Sequence, residues 1–190
     1  QFPNWAEFTI AYVACFKTGA VIQSLARNFN GADLTYAMNL VESRAYIGPT
    51  SFHGVDYEQQ ILDIAGDIPT LKVIALVDKK APKQTDLPTV AEIVATTEPL
   101  AESDQVACLL STSGTTGKPK EVMLTHNNIL FSERVFTSEL GRTQGDVMFM
   151  PSPLNHATGF FHGLISPLLL GGRAVLQQDF RPREAIELMN

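Results

Sequence analysis

The sequence is poor in charge, and basic residues are the scarcer kind. Asp, Glu, Lys and Arg make up 18% of its 190 residues, below the roughly one quarter that is usual for globular domains. Fourteen basic residues face 20 acidic ones, which leaves a net charge of −6. Proteins that bind nucleic acid need a basic surface, so no nucleic acid is expected as a partner. Low charge also favours a chain whose surface is partly covered by other parts of a longer protein.

Cysteines and long apolar runs are scarce as well. The two cysteines, Cys15 and Cys108, lie in apolar segments, which predicts reduced core residues and neither a disulfide nor a metal site. The apolar stretch 157–170 is interrupted by His162 and Pro167 and is shorter than the roughly 20 residues that a membrane-spanning helix needs. No signal-peptide pattern is present. We therefore expect a cytoplasmic enzyme without a membrane span, for which peripheral membrane contact and homo-oligomer formation stay open.

A helix is predicted close to the start of the chain. Asn4 is a typical N-cap residue, and Glu7 follows three residues later as a capping-box partner. Phe8 and Tyr12 then lie four residues apart, on one face of a helix. Gly19 is the residue expected to end it.

Helical and strand patterns alternate along the rest of the chain. Apolar residues three or four apart predict helices around 34–41, 57–68, 129–140 and 160–170. Short apolar runs predict strands, at 20–25, 45–47, 73–77, 106–110, 147–150 and 174–176. This alternation predicts an α/β fold with a doubly wound, mostly parallel sheet layered with helices. The polar residues 98–105 are interpreted as a linker between parts 1–97 and 106–190.

The ten residues 111–120 have the composition of a phosphate-binding loop. They contain five hydroxyl side chains, two glycines and two lysines, directly after the apolar strand 106–110. Glycines let backbone N–H groups approach an anion, hydroxyls donate to phosphate oxygens, and lysines supply positive charge. Composition alone fits an ordinary Ser/Thr/Gly surface loop equally well. A Walker P-loop is excluded, because Gly117 and Lys118 are followed by Pro119 instead of Ser or Thr.

The order of these residues is more specific than their composition. The string Thr112–Lys120, with Val122 after it, resembles the signature loop of the adenylate-forming enzymes, T-S-G-[ST]-T-G-x-P-K-G-V. This superfamily comprises acyl-CoA and aryl-CoA synthetases, luciferases and the adenylation domains of peptide synthetases. Its following [ST]-H-x-N motif is matched by Thr125-His126-Asn127-Asn128. Glu121 departs from the pattern, because the family has glycine there.

Two further segments carry the same resemblance. Residues 153–159 resemble the P-[LM]-x-H-x-x-G motif that lines the acyl pocket, and 1–21 resemble the family's Q-x-P-N…K-x-G-A-V block. Within the superfamily the chain is most similar to bacterial short- and medium-chain fatty acyl-CoA synthetases, over nearly all of its length. The family's later motifs, for adenine, ribose, the hinge and the C-terminal lysine, are absent. The resemblance therefore implies a fragment, 1–190, of the large N-terminal AMP-binding (adenylation) domain, with the C-terminal domain absent.

The resemblance implies an acid–thiol ligase of fatty acid metabolism that uses ATP, Mg²⁺ and coenzyme A. A carboxylic acid, short- or medium-chain fatty by resemblance, would be activated as acyl-AMP and then transferred to CoA. The loop residues would hold the ATP phosphates: Thr112, Ser113, Gly114, Thr115, Thr116, Gly117, Lys118 and Lys120.

The acid would be bound around the second motif. The resemblance implies that His156 is catalytic, flanking the carboxylate and the α-phosphate, and that four neighbours bind the substrate: Asn155, Thr158, Gly159 and Phe160. Without the motif, His156 is more simply a hydrogen-bonded histidine in a turn, and Phe160 a core residue. His162 is interpreted as pocket wall or core, and His126 as a residue that orders the turn after the loop.

Two other functions stay open. One is an acyl- or aryl-AMP ligase that delivers its product to a carrier protein; the other is a catalytically incompetent phosphate-binding or structural fragment. Since the groups for adenine, Mg²⁺ and the second half-reaction are absent, the isolated 190-residue chain is expected not to form acyl-CoA by itself.

Glu121 raises a separate expectation. A carboxylate about 6 Å from a phosphate charge would cost roughly 0.7 to 3 kcal/mol per unit charge, for effective dielectric constants of about 80 to 20. The hypothesis is that Glu121 weakens ATP binding, unless it points into solvent or pairs with Lys118 or Lys120.

Overall fold

The computed structural model describes residues 1–78, 101–112 and 120–189. Its helices and strands follow in chain order: α1 (Ala6–Thr18), β1 (Ile22–Ser24), α2 (Gly31–Leu40), β2 (Ala45–Pro49), β3 (Ser51–Phe52), β4 (Val55–Asp56), α3 (Tyr57–Ile64), a 3₁₀ turn (Ala65–Asp67), β5 (Val73–Val77), β6 (Val106–Thr112), β7 (Lys120–Thr125), α4 (His126–Glu139), β8 (Val147–Met150), a π-helical segment (Gly159–Ile165), α5 (Ser166–Leu170), β9 (Arg173–Leu176) and α6 (Pro182–Met189). The described residues form two compact units.

The first unit consists of Gln1–Phe2 and the described residues from 25 to 78. β2 and β5 pair in parallel, with Ala45 opposite Val73. β3 and β4 form a small antiparallel hairpin. The core is almost entirely apolar. It takes side chains from α2, α3 and β2, from the residue after β1 and from the residue after the 3₁₀ turn: Leu25, Leu34, Ala37, Met38, Tyr46, Ile61 and Ile68.

The second unit consists of Pro3–Ser24 and the described residues from 101 to 189. β1, β6 and β7 form one sheet in that order, β1 parallel and β7 antiparallel to the central β6. β8 and β9 form a separate parallel pair. The candidate site residues that the structure describes all belong to this unit.

The predicted α/β fold with a mostly parallel sheet is confirmed, and six of the nine described strands lie at or within a few residues of the predicted runs. The short β3 and β4 and the strand β7 were not predicted. The division of the chain differs from the predicted parts 1–97 and 106–190. Residues 3–24 group with the later part of the chain, because β1 pairs with β6, Ile22 lying opposite Cys108. Residues 101–105 of the predicted linker contain no helix or strand, and 98–100 lie outside the described residues.

The predicted N-cap of the first helix is wrong. α1 begins at Ala6 with Trp5 as its N-cap residue, and no side chain caps it. Asn4 lies before the helix and bonds elsewhere, as described below. The predicted end is confirmed: Gly19 follows the helix with a positive φ of 71°, a conformation that glycine adopts without a steric penalty.

The helix predicted over 160–170 is divided. Gly159–Ile165 is π-helical, and α-helical bonding begins only at Ser166, with Pro167 in the first turn of α5. Proline has no N–H to donate and clashes with the carbonyl one turn earlier, so it fits a helix start far better than a helix interior. The sequence contained this signal in Pro167.

Candidate active site

The described ends of the predicted phosphate loop lie directly opposite each other. Thr112 ends β6, Lys120 begins β7, and the two are cross-strand partners in the antiparallel register. The Thr112 hydroxyl donates to the Lys120 carbonyl oxygen at 3.3 Å. Both residues are exposed, so the ammonium of Lys120 is accessible to an anion. The other predicted phosphate-binding residues lie outside the described residues: Ser113, Gly114, Thr115, Thr116, Gly117 and Lys118.

Glu121 is half-buried and lies against the sheet. Its Oε1 accepts a hydrogen bond from the Ser111 hydroxyl at 2.8 Å and another from the Gln23 side-chain amide at 2.9 Å. Its donors among the described residues thus come from β6 and β1, and Lys120 is not one of them. The carboxylate therefore has a defined structural position, which the sequence did not indicate.

His156 lies in a tight turn that leads into the π-helical segment. Its N–H donates to the Pro153 carbonyl at 3.0 Å, and its own carbonyl accepts from the Phe160 N–H at 2.8 Å. Leu154 anchors the turn, with a side chain that is 1% exposed. The imidazole of His156 is exposed at the start of a helical segment, where free backbone N–H groups favour an anion. This is a suitable place for a carboxylate or phosphate oxygen.

The predicted substrate-binding residues divide into exposed and buried members. Thr158 is exposed and Asn155 half-buried, whereas Gly159 and Phe160 are buried. The Phe160 ring packs against Tyr12, with ring centroids 5.3 Å apart. A Cβ on Gly159 would lie 2.1 Å from the Pro153 carbonyl oxygen, so glycine is required for the helix to approach the turn so closely.

Asn4 is a buried structural residue that the sequence analysis misassigned. Its side-chain amide donates to the Ser152 carbonyl at 2.9 Å, and its Oδ1 accepts from the Leu154 N–H at 2.9 Å. These two bonds hold the segment that leads to His156. The amide also donates to the Gln177 carbonyl, after β9, at 3.0 Å. No local pattern could have revealed partners about 150 residues away.

A second buried polar group, Glu133 on α4, lies beside the π-helical segment. Its carboxylate is fully buried, accepts a hydrogen bond from the Ser166 hydroxyl, and lies 3.3 Å from Nδ1 of His162. The His162 ring also stacks on Phe136, with centroids 3.9 Å apart. The interpretation of His162 as wall or core left its carboxylate partner out. The sequence did indicate a buried position for Glu133, because Glu133 follows Ile129 by four residues on the apolar face of α4.

The Thr125–Asn128 motif has a local structural role. Thr125 is the N-cap of α4, and its hydroxyl accepts from the Asn128 N–H at 3.1 Å. The Asn128 side chain accepts from the Thr125 N–H, also at 3.1 Å, which completes a capping box. The His126 ring packs edge-on against Phe16, at 5.3 Å between ring centroids, and burial lowers its pKa. This arrangement fixes the chain direction after β7.

Cys108 is buried, as predicted for a core residue, whereas Cys15 is only half-buried. Burial raises the pKa of Cys108 to about 12 and also raises that of Cys15. Such thiols stay protonated and unreactive at neutral pH.

The described residues contain no group of three or more His, Cys, Asp or Glu side chains placed to hold a metal ion. Within the same part of the chain, no helix is long and apolar enough to cross a membrane.

Comparison with known proteins identifies the family. The model of the AMP-binding enzyme family matches residues 1–190. The chain belongs to the AMP-binding enzyme family. It is 42% identical to the medium-chain fatty-acid–CoA ligase of Escherichia coli (strain K12), over 100% of this chain and 34% of the ligase. It is 29% identical to the 2,3-dihydroxybenzoate-AMP ligase of Bacillus subtilis (strain 168), over 100% of this chain and 35% of that protein.

Solved structures of this family share the fold. ATP-bound MatB from Rhodopseudomonas palustris superposes with a TM-score of 0.79 at 22% identity, over 100% of this chain and 36% of MatB. The O-succinylbenzoate coenzyme A synthetase (MenE) of Bacillus subtilis, in complex with ATP and magnesium ion, gives a TM-score of 0.74 at 24% identity, over 100% and 46%. The chain spans about a third of the length of these two relatives.

Proposed function

We propose that this chain is part of the N-terminal adenylation domain of an acyl-CoA synthetase. In the whole protein, a short- or medium-chain fatty acid would react with ATP to form acyl-AMP, and the acyl group would then pass to the thiol of coenzyme A. The observation that carries the proposal is the pairing of Thr112 with Lys120 at the end of β6 and β7. The identity of 42% to a medium-chain fatty-acid–CoA ligase over the entire chain supports the class of acid.

The chemistry assigns a distinct task to each part of the site. In the first step an oxygen of the carboxylate attacks the α-phosphorus, the bond to the bridging oxygen breaks, and pyrophosphate leaves. Protein catalysis of such a transfer consists of positioning and of stabilising the charge on the phosphates. Lys120 would hold charge on the β- and γ-phosphates, with Thr112 and the loop residues 113–118 beside it. His156, with Asn155 and Thr158 beside it, would orient the carboxylate at the helical N-terminus.

The buried residues of the second motif would support the site from the core of the second unit. Gly159 allows the helix to approach the turn, and Phe160 closes the core beneath it. ATP and coenzyme A are the co-substrates in this proposal. Mg²⁺ would be held by parts of the protein outside the described residues. A cytoplasmic location, and any peripheral membrane contact or homo-oligomer, stay predictions from the sequence.

Replacing Lys120 with Ala in the whole protein tests the phosphate role. A charge-assisted hydrogen bond contributes about 1.5 to 3 kcal/mol, so the KM for ATP in ATP–pyrophosphate exchange should rise about 10- to 100-fold. The matched control is Lys72→Ala, because Lys72 is exposed in the first unit and its ammonium donates to the nearby Pro69 carbonyl. Equal effects of the two substitutions would contradict the proposed role of Lys120.

The acid and the acceptor are tested separately. A panel of short-chain, medium-chain and aromatic acids in the exchange assay should favour medium-chain acids. The acceptor is decided by adding coenzyme A to pre-formed acyl-AMP: release of acyl-CoA supports the synthetase, and no release favours a ligase that serves a carrier protein.

Acyl-CoA formed by the 190-residue chain alone would overturn the expectation that this piece is insufficient for the reaction.

A further inference from the structure

Glu121 connects all three strands of the sheet that carries Thr112 and Lys120. Its Oε1 accepts from Ser111 on β6, at 2.8 Å, and from Gln23 on β1, at 2.9 Å. Glu121 itself belongs to β7 and lies directly opposite Ser111 in the antiparallel register. One carboxylate oxygen therefore links the strands immediately beside the residues proposed to bind phosphate.

The side chain of Glu121 starts on the opposite face of the sheet from that of Lys120. Successive residues in a strand direct their Cβ atoms to opposite faces, so Glu121 shares its face with Met123, and Lys120 shares the other with Val122. The carboxylate is thus directed away from the face of the proposed phosphate-binding lysine. Repulsion between Glu121 and phosphate is correspondingly weak, and the two charge-assisted hydrogen bonds become the larger effect.

We propose that Glu121 is a positioning residue for ATP. By holding Ser111 and Gln23, it fixes the ends of β6 and β7, and with them the relative positions of Thr112 and Lys120. Hydrogen bonds to a charged acceptor are short and directional, so they fix a strand register more firmly than a glycine at the same position could. The inference rests on the proposed function only in that Lys120 and Thr112 bind the phosphates of ATP.

The proposal predicts opposite outcomes from the repulsion hypothesis. Glu121→Gly removes the acceptor and should raise the Kd for ATP about tenfold, the loss expected for a hydrogen bond to a charged group. Glu121→Gln keeps a carbonyl oxygen for Ser111 and Gln23 but loses the charge assistance, so it should raise the Kd for ATP by only about threefold. If repulsion dominated, both substitutions would lower the Kd for ATP.

Ser111→Ala provides an independent variant from the other side of the bond. It should also raise the Kd for ATP, and the double variant should bind ATP no more weakly than Glu121→Gly alone, because Glu121→Gly already removes the bond that Ser111→Ala removes. Met123→Gly is the matched control: it introduces glycine into the same strand and face at an exposed side chain, and should leave the Kd unchanged.

The experiment is equilibrium binding of ATP to the whole protein and to these variants, with the KM for the acid measured in ATP–pyrophosphate exchange. The Kd pattern above, with an unchanged KM for the acid, is the expected result. Tighter ATP binding by Glu121→Gly, equal weakening by Glu121→Gln, a parallel loss of affinity for the acid, or a wild-type protein that binds no ATP would each overturn the proposal. A wild-type protein that binds ATP but catalyses no exchange would refute the proposed function, while the Kd pattern would still decide the role of Glu121.

Discussion

The two units bury different kinds of side chain. The first unit has an apolar core, and among the described residues only Gln1 is a buried polar side chain there. The second unit buries polar side chains repeatedly: Asn4, Ser24, Glu133, Thr137, Ser166 and Gln177. Polar groups are costly to bury unless they are hydrogen-bonded, and satisfied networks specify one arrangement of the chain. Buried polarity thus coincides with the unit that carries the candidate site.

Asn4 and Glu133 illustrate what this polarity achieves. Asn4 holds the segment before His156 through two hydrogen bonds and bonds the Gln177 carbonyl, after β9, through a third. Glu133 meets Ser166 and His162 on the segment that follows. Apolar packing stabilises either unit, but it tolerates small shifts, whereas directional bonds do not. We therefore expect variants of the second unit to lower activity more than stability, and variants of the first unit to do the reverse.

The largest effect on activity is expected from Gly159→Ala. Its Cβ would meet the Pro153 carbonyl oxygen at 2.1 Å, and backbone cannot move aside without displacing the His156 turn. Unfolding free energy should fall by about 3 kcal/mol or more, and exchange activity by about 100-fold. Chemical denaturation and ATP–pyrophosphate exchange measure the two losses.

Gly31→Ala is the counterpart in the first unit. Its Cβ would meet only the Ile64 side chain, at 3.2 Å, which can shift by a few tenths of an ångström. Activity should stay at the wild-type level. A comparable loss of activity in both variants would break the contrast between the units.

An intermediate effect is expected from Asn4→Ala. The substitution leaves buried backbone groups of residues 152, 154 and 177 without their partner, so stability should fall by about 1 to 3 kcal/mol. Displacement of the turn should lower exchange activity about tenfold. Asn4→Asp keeps an acceptor for the Leu154 N–H but directs a buried carboxylate oxygen at the Ser152 and Gln177 carbonyl oxygens, so its loss of stability should be at least that of Asn4→Ala.

Ile61→Ala supplies the matching change in the first unit. Ile61 is fully buried, and deletion of such a side chain costs about 2 to 5 kcal/mol. The specific activity of the folded variant should nevertheless remain that of the wild type. Should Ile61→Ala lower specific activity more than Asn4→Ala, the proposed division of roles would be wrong.

The smallest effect is expected from substitutions at helix N-caps, which occur in both units. Asn30 caps α2 and Thr125 caps α4, each within a complete capping box. Asn30→Ala and Thr125→Ala should each lower the unfolding free energy by about 1 kcal/mol, with exchange activity within about twofold of the wild type. Thermal or chemical unfolding of the wild type and of each variant measures these losses of unfolding free energy. If one cap substitution lowered the unfolding free energy much more than the other, the units would differ in more than their buried polar groups.

Local patterns predicted the elements well, and partners distant in sequence poorly. Gly19 was correctly predicted to end α1, because the preference of a helix end for glycine is a property of one residue. Asn4 was misassigned as a cap, because its identity suits a helix start while its partners lie near residues 152–177. Pro167 contained the signal for the change of helix type, but apolar periodicity alone extended one helix across it.

The sequence by itself determined the alternation of helices and strands and the family, and it predicted which residues bind phosphate and carboxylate. These follow from side-chain periodicity, turn chemistry and the order of residues in short motifs, all of which act over a few residues. Only the tertiary structure decided that residues 3–24 join the later part of the chain, that Asn4 holds the turn of His156, and that Glu121 accepts from Ser111 and Gln23. The grouping of residues 3–24 depends on strand pairing, and the positions of Asn4 and Glu121 depend on directional hydrogen bonds. All three involve residues that only the fold brings together, so composition and spacing do not indicate them.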